Sequence, residues 1–563
     1  MKIYLTLLGL AFTALCRAQV LTINISDNSF GVDESSSLIV SQIQNIGDYS
    51  NTSDYDKIVI TLGQNIYGLN TIPSNLEYSN SYLVTDNSTS KEYTLYFTQL
   101  PIICIESNNE IVDEPKVLAS FTYSDESQIL VSKIGIELRG GSSQGFPKRT
   151  YDLEFWNDQL GDVTKDVQFG KLRFDDDWIL DALYNEPLRI RSYVANKLWL
   201  ETHDTPYYKD NEPDAKSGAD IMYVEMFLNG RYNGLYNLSE QVDRKQLKLK
   251  SYNGNIRGEL YSGKYPGATI FTTLPNYDNQ SRKWSGYEIK YPKEEDATDW
   301  ENLFQFTNFV MNASEADFNS GIWTQFEKDN YINYFLFLNL IRATDNVGKN
   351  IFLAKYNTGE PYFYVPWDLD GCFGTIWDGT QRDITTDILT NGFIDRVIDL
   401  DPDDISIDIA DRWFSYRDNI FSSESLTNTI SELYNFFQTN KVYERESLVY
   451  SNYLFDNHNL SYMLNWLENR LKYLDIYFGV ILSIDAQDAR ASKDRIIYPN
   501  PSTDRINLSP IDSLIGSTYK IYNNLGQLML YGIIDDNAIS IERLDKGFYF
   551  LIINGFSHKF IKQ

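Results

Sequence analysis

The stretch RATDNVGKNIFLAKYNTGEPYFYVPWDLDGCFG, Arg342–Gly374, decides how this chain is read. The residues that lead into it, from Asn330, space their apolar side chains as a helix does (NYINYFLFLNLIRATD), so Asp345 is expected at a helix end. Asn350 lies five residues further on and opens a strand, NIFLAKY. Asn357-Thr358-Gly359 is a turn signal, and PYFYVPW returns the chain. Asp368 then emerges beside the start of that hairpin, with Asp370 following in a glycine-bounded turn. The hairpin thus brings residues far apart in the chain into one site. Asn350, Asp368 and Asp370 offer the oxygen donors that suit Mg2+ or Mn2+. Close, unpaired carboxylates repel one another and one tends to protonate; a divalent cation removes that conflict. Asp345 is then left to accept a proton from an attacking hydroxyl. Any one of these acids alone reads as a helix or turn cap. Their order, together with a glycine-rich loop upstream, favours a site.

The 563 residues, 42% hydrophobic and 15% aromatic, are enough for several cores. The net charge of -29 repels phosphate backbones and anionic lipid, and no long basic run offsets it, so nucleic acid is excluded as a partner. The three histidines (His203, His458, His558) are scattered, which leaves a nitrogen–sulfur zinc site poorly supplied. MKIYLTLLGLAFTALCRAQ reads as a secretory leader cut ahead of Gln19. A lipid anchor at Cys16 is the rival reading, and Leu15, which is not small, argues against it. No later run is long and apolar enough to span a bilayer. Export permits a disulfide between the remaining Cys104 and Cys372, although two separate buried thiols serve equally well.

The expected organisation is a leader (1–18), a β-rich domain (19–99), a mixed α+β domain (100–482), a polar linker (483–495) and a C-terminal β-sandwich (496–563). Within the central domain, KIGIELRGGSSQGFPKRTYDLEF (Lys133–Phe155) alternates as strand, glycine-rich loop, strand. Gly141–Gly145 spells GxSxG around Ser143, but a nucleophile elbow needs a helix after the serine, and here Pro147 and a strand follow. The same loop has the makings of a phosphate cover, with the amides of Gly140–Ser143 and the Lys148 ammonium as donors; the plain alternative is a glycine-rich hairpin. Pro187 is expected to open a helix with Arg189 and Arg191 in its first turn. Two strands around Asn229-Gly230 end at Glu240, either a site residue or a solvated turn.

Two resemblances follow from these motifs. YPNPSTD (Tyr498–Asp504), NNLGQ (Asn523–Gln527) and LDKGFYFLIING (Leu544–Gly555) resemble the C-terminal sorting domains of type IX secretion in Bacteroidetes. That implies the type IX machinery as a partner and secretion or the outer cell surface as the destination. RGGSSQGFPKRTYDLEF, LNGRYNGLYNLSEQVD, RATDNVGKN and VPWDLDGCFG, in that order, resemble the CotH family of atypical protein kinases. The resemblance implies a bilobal, protein-kinase-like α+β domain that uses ATP and Mg2+ or Mn2+ to phosphorylate a protein or peptide hydroxyl. It implies Asp345 as the catalytic aspartate, Asp368 as a metal ligand and Asn350 as the second. Asp370 is a metal neighbour or a support for the turn. Ser142, Ser143, Lys148 and Glu240 form the expected nucleotide-contacting set, with Lys290 of GYEIKYPK a rival for Lys148. The chain departs from protein kinases in lacking His-Arg directly before Asp345 and in carrying Asp368-Leu369-Asp370-Gly371 in place of Asp-Phe-Gly. A cell-surface binding or adhesion protein on the same scaffold, without turnover, is the competing function. The acceptor and the oligomeric state are not legible. N-terminal sequencing of the exported protein is expected to begin Gln-Val-Leu-Thr; a start at Cys16 would replace simple cleavage with lipidation.

Overall fold

The computed structural model describes residues 19–203, 206–450, 456–491, 496–509, 514–523, 526–553 and 556–563. The leader read from the sequence lies outside them. The fold is mixed α+β. Strands β1 (Val20–Ile25), β2 (Phe30–Asp33), β3 (Leu38–Gln42), β4 (Lys57–Leu62), β5 (Asn65–Leu69), β6 (Ser81–Asp86) and β7 (Glu92–Thr98) form one sheet, ordered β1-β4-β5-β6-β7-β3-β2. Alternation in β4 buries Ile58, Ile60 and Leu62 against Ile23, Val84, Leu95 and Phe97.

The next strands close a barrel, which leaves no sheet edge to protect. They are β8 (Ile102–Glu106), β9 (Val117–Ser124), β10 (Ile129–Arg139), β11 (Thr150–Trp156), β12 (Asp177–Asp181), β13 (Ile221–Leu228) and β14 (Arg231–Ser239), in the order β10-β11-β12-β14-β13-β8-β9. Aromatic side chains fill it edge to face: Phe121 on Phe155 at 4.9 Å and Phe169 on Trp178 at 4.8 Å between ring centroids. A second sheet, ordered β16-β17-β15-β18-β19, follows: β15 (Glu259–Gly263), β16 (Lys283–Trp284), β17 (Tyr287–Tyr291), β18 (Ile351–Lys355) and β19 (Tyr362–Pro366). The helices are α1 (Arg191–His203), α2 (Glu301–Asn312), α3 (Glu315–Gln325), α4 (Lys328–Ile341), α5 (Gly392–Leu400), α6 (Ile405–Arg417), α7 (Ser423–Thr439), α8 (Val442–Val449) and α9 (His458–Ala491). None among the described residues is long and apolar enough to cross a membrane.

Two compact units result. One holds the N-terminal sheet, most of the barrel and α8; the other holds the second sheet, most of the helices and the C-terminal strands. Those last strands make a three-stranded sheet, β20 (Ile496–Tyr498), β21 (Arg505–Ser509) and β24 (Ala538–Ser540), and a four-stranded one, β22 (Thr518–Asn523), β23 (Leu528–Ile533), β25 (Gly547–Ile553) and β26 (Phe556–Lys562). Ile506, Ile521, Ile539, Leu551 and Phe560 share their core.

Three local expectations differ from what is observed. The stretch read as a linker from residue 483 is helical through Ala491, as the end of α9; Ala486, Ala489 and Ala491 within it favour a helix, and residues 492–495 lie outside the described ones. The helix after Pro187 begins only at Arg191, because Arg189 sits in the left-handed region at φ 60° and donates to the carbonyls of Leu183, Tyr184 and Glu186. Asp345 is not the last residue of α4: Arg342 takes a left-handed φ of 51° and stops the helix, and Asp345 opens a separate short turn to Val347.

Helix α4 is buried on every side, Asn330, Tyr331, Leu336, Leu340 and Ile341 included. Its start is tied to the outer edge of β19, where backbone groups would otherwise lack partners. Glu327 N donates to Tyr362 O at 2.8 Å, Asn330 Nδ2 to Tyr364 O at 2.9 Å, and Tyr364 N to Asn330 Oδ1 at 2.7 Å. These bonds set α4 against the β18–β19 hairpin. Asn330→Leu keeps the volume but strands a buried N–H and C=O. It is expected to lower unfolding stability by ~2–4 kcal/mol in denaturant titration; a change under ~0.5 kcal/mol would mean that the edge is satisfied some other way.

Candidate active site at the base of the hairpin

The β18–β19 ladder ends at the pair Ile351↔Pro366, and the residues just beyond it, Asn350 and Asp368, both adopt left-handed φ, 53° and 54°. Asn and Asp are the non-glycine types that bear this conformation most readily. Asn350 Nδ2 donates to Asp368 Oδ2 at 3.0 Å. The mouth is held from behind by Asn346, which is buried. Its amide donates to Asn350 O at 2.6 Å and Trp367 O at 2.8 Å, and its own carbonyl accepts from Tyr334 OH of α4 at 2.6 Å. The side chain of Asn346 thus clips the two arms together one residue after Asp345.

Asp345 Oδ2 pairs with Lys349 Nζ at 2.8 Å. Burial pulls the Lys349 ammonium down, but the hydrogen bond and charge of Asp345, with the charges of Asp368 and Asp370, outweigh it and leave the pKa raised. The three carboxylates therefore act on one ammonium. Asp370 Oδ2 accepts from Asn185 Nδ2 at 3.1 Å, and the same amide reaches Trp377 O. Arg191, at the start of α1, pairs with buried Glu186 at 2.5 Å and donates to Phe373 O at 3.4 Å, just past the aspartate turn. Asn350, Asp368 and Asp370 fit a hard cation in kind: two carboxylates and an amide oxygen, a partial set that leaves positions for water or phosphate oxygens. Asp345, Asp368 and Asp370 do not pack as a closed triple. Among the described residues, the acids that do form a triple within 4.8 Å of one another are Asp166, Asp175 and Asp176, in the other compact unit, where Arg173 already pairs with Asp175.

Residues 136–474, more than half of the chain, match the family described as CotH kinase protein. The chain belongs to the CotH kinase protein family. Residues 496–563 match the secretion system C-terminal sorting domain, which assigns the chain to type IX secretion and the outer cell surface. No curated protein matches the chain.

The CotH match begins in β10, and the glycine-rich loop follows as a short turn, Ser142–Gly145, between β10 and β11. Ser143 Oγ donates to Arg139 O at 3.2 Å, a turn contact; no helix follows it, so the context of a nucleophile elbow is absent. The side chain of Ser142 lies outside the described ones. Lys148 is fully buried: Nζ lies 2.7 Å from Glu446 Oε1, donates to Leu235 O and sits 4.7 Å from the Tyr236 ring. Glu446 also accepts from Leu235 N at 2.7 Å. Gly234, at φ 86°, is required here, since a Cβ would collide with the Glu446 carboxylate. The adjacent Arg445 makes a second buried pair with Glu225, so α8 is bolted to the barrel by two ion pairs. Glu240 is buried too: it accepts from Lys216 Nζ at 3.0 Å, Asp220 N at 3.1 Å and Gln246 Nε2 at 3.0 Å, which removes the solvated-turn reading. Lys290 is exposed and pairs with Glu288 at 3.1 Å. Cys104 and Cys372 are free thiols, and burial pushes the Cys104 thiol up to about 12.

Sequence reading passed over Lys349, Asn346, Asn185 and Glu446. The first two adjoin residues already singled out, so the run DNVGKN held a usable signal. Glu446 is 298 residues from its partner and nothing local marks it. Removing one member of a buried pair leaves the other charge stranded, so Lys148→Met is expected to cost ~3–5 kcal/mol. Lys148→Met with Glu446→Leu is expected to recover most of that in denaturant titrations. A loss in the double variant equal to the sum of the Lys148→Met and Glu446→Leu losses would show that the pair is not coupled.

Proposed function

We propose that this exported CotH-family protein is a phosphotransferase with a bilobal, protein-kinase-like catalytic domain. It moves the γ-phosphoryl group of ATP to a hydroxyl of a protein or peptide. The observation that carries the reading is the Asn350–Asp368 contact at the hairpin mouth, at 3.0 Å, with the Asp345–Lys349 pair acted on by the same carboxylates.

In this reading Asn350 and Asp368 hold Mg2+ or Mn2+, with Asp370 as a neighbour kept in place by Asn185. The cation, when bound, neutralises phosphate charge. Asp345 takes the proton of the acceptor hydroxyl as its oxygen bonds to the γ-phosphorus and the bond to the bridging oxygen breaks, releasing ADP. Lys349 holds the Asp345 carboxylate in place until the acceptor arrives. Support for Lys148 as the nucleotide-contacting lysine comes from its pairing with Glu446, since kinases orient such a lysine with a glutamate. Ser142, Ser143 and Glu240 are assigned to the surroundings of the nucleotide with less direct support: Glu240 acts by fixing Lys216 and the backbone at Asp220.

The test is a thermal-shift titration with ATP and Mn2+ or Mg2+, followed by an autophosphorylation assay. Saturation near 100 Kd is expected to stabilise the protein by ~2.7 kcal/mol, and Asp368→Ala is expected to abolish the shift. Asp345→Ala is expected to keep the nucleotide shift but lose ~100-fold or more in kcat, the usual range for a lost general base. A shift without any phosphoryl transfer in the wild type would leave a nucleotide-binding surface protein. No shift at all would leave the binding or adhesion function on a kinase-like scaffold.

A further inference from the structure

The segment between the aspartate turn and α5 is stitched to the back of the turn that carries Asp345. Arg342, three residues before Asp345, makes a two-pronged contact with Asp387: Nε to Oδ1 at 2.9 Å and Nη2 to Oδ2 at 2.7 Å. Arg470 of α9 reaches the same residue from the other side. Its Nη1 donates to Asp387 O at 2.6 Å, to Asp387 Oδ1 at 3.2 Å and to Thr385 O at 2.9 Å. Its Nε donates to Asn339 O of α4 at 2.7 Å. Asn339 in turn exchanges two bonds with Leu389, N to Oδ1 at 2.7 Å and Nδ2 to O at 3.2 Å. Asn391 closes the far end: Nδ2 donates to Val347 O at 3.0 Å, while Oδ1 caps α5 through the amides of Phe393 and Ile394. The Asp345–Val347 turn is therefore gripped at both ends by residues 387–391.

The charges make Asp387 the member on which the rest depends. Arg470 is fully buried, and burial draws its guanidinium down to about 10 despite the nearby Asp387 charge. Arg342 is about 10% exposed. Without a carboxylate between them, two guanidiniums would face each other in a poorly solvated place. Burial alone would raise the Asp387 carboxyl, but the Arg342 hydrogen bonds and charge, with that of Arg470, hold it below the ordinary carboxylate range.

We propose that Asp387 is a positioning residue, whose carboxylate, clamped between Arg342 and Arg470, fixes the 343–347 turn and so the place of Asp345. The brace takes its negative charge from the sequence itself. It assembles on folding and needs no phosphorylation of the segment to hold it. Its catalytic consequence rests on the phosphotransferase reading; the brace itself does not.

The experiment is hydrogen exchange by mass spectrometry on the full secreted chain, comparing wild type with Asp387→Asn and Arg342→Lys. Exchange over residues 343–349 is expected to accelerate about tenfold or more in both variants, with β22 and α2 within about twofold of wild type. Asp387→Glu, which keeps the charge, is expected to stay within about threefold of wild type over the same stretch. If the wild type transfers phosphate, kcat of Asp387→Asn falls about tenfold while KM for ATP and the nucleotide thermal shift hold, as for an interaction made only in the transition state. If the wild type transfers nothing, the phosphotransferase reading fails and exchange alone decides the brace. If Asp387→Asn does not fold, Arg342→Lys decides it. Unchanged exchange over 343–349, or a loss of protection spread evenly through the helices, overturns the proposal.

Discussion

Like charges repel, and a protein with a net charge of -29 that gathers carboxylates at one hairpin mouth must compensate them locally. Lys349 does so at short range: its ammonium lies 2.8 Å from Asp345 and is acted on by Asp368 and Asp370. With the two side chains 42% and 28% exposed, such a pair contributes about 0–1 kcal/mol net, so it orients the carboxylate more than it stabilises the fold. The amide of Asn350 works at equally short range, donating to Asp368 Oδ2 at 3.0 Å.

The surrounding structure keeps those side chains from relaxing away. Asn330 and Glu327 lock the start of α4 to the edge of β19, Asn346 clips the hairpin mouth, and Arg191 and Asn185 hold the aspartate turn from the α1 side. Buried asparagines recur because each supplies a donor and an acceptor on one short side chain, which suits it to ends of strands and helices where both kinds of backbone group go unpaired. The same logic runs through the unit that holds the barrel, but with charge. Helix α8 buries Val442 and Tyr443 and brings Arg445 and Glu446 to Glu225 and Lys148, all four charged groups fully buried. Such pairs cost desolvation and give orientation in return.

Family membership and secretion route agree with what the fold can support. A CotH kinase region followed by a sorting domain is an exported protein built around a mixed α+β core.

Much of the architecture was legible in the order and spacing of the residues. Period-two alternation in Lys133–Phe155 marked a strand pair; the Asn357–Gly359 turn marked the hairpin, and that hairpin brought Asn350 and Asp368 side by side, because hairpin register follows from local turn chemistry. Misreadings arose where a local rule met a tertiary demand. Pro187 suggested a helix start, yet Arg189 is held left-handed by three carbonyls; a polar, small stretch suggested a linker, yet α9 runs on through it to Ala491. The sequence by itself therefore determined the strand patterns, the hairpin and the order of the acidic residues, since these depend on neighbours a few positions away. Only the tertiary structure decided that Lys148 meets Glu446 across 298 residues and that Asp387 lies between Arg342 and Arg470. The reason is that a charge carries no address: which partner compensates it is settled by which surfaces the folded core brings close, and no local pattern encodes that.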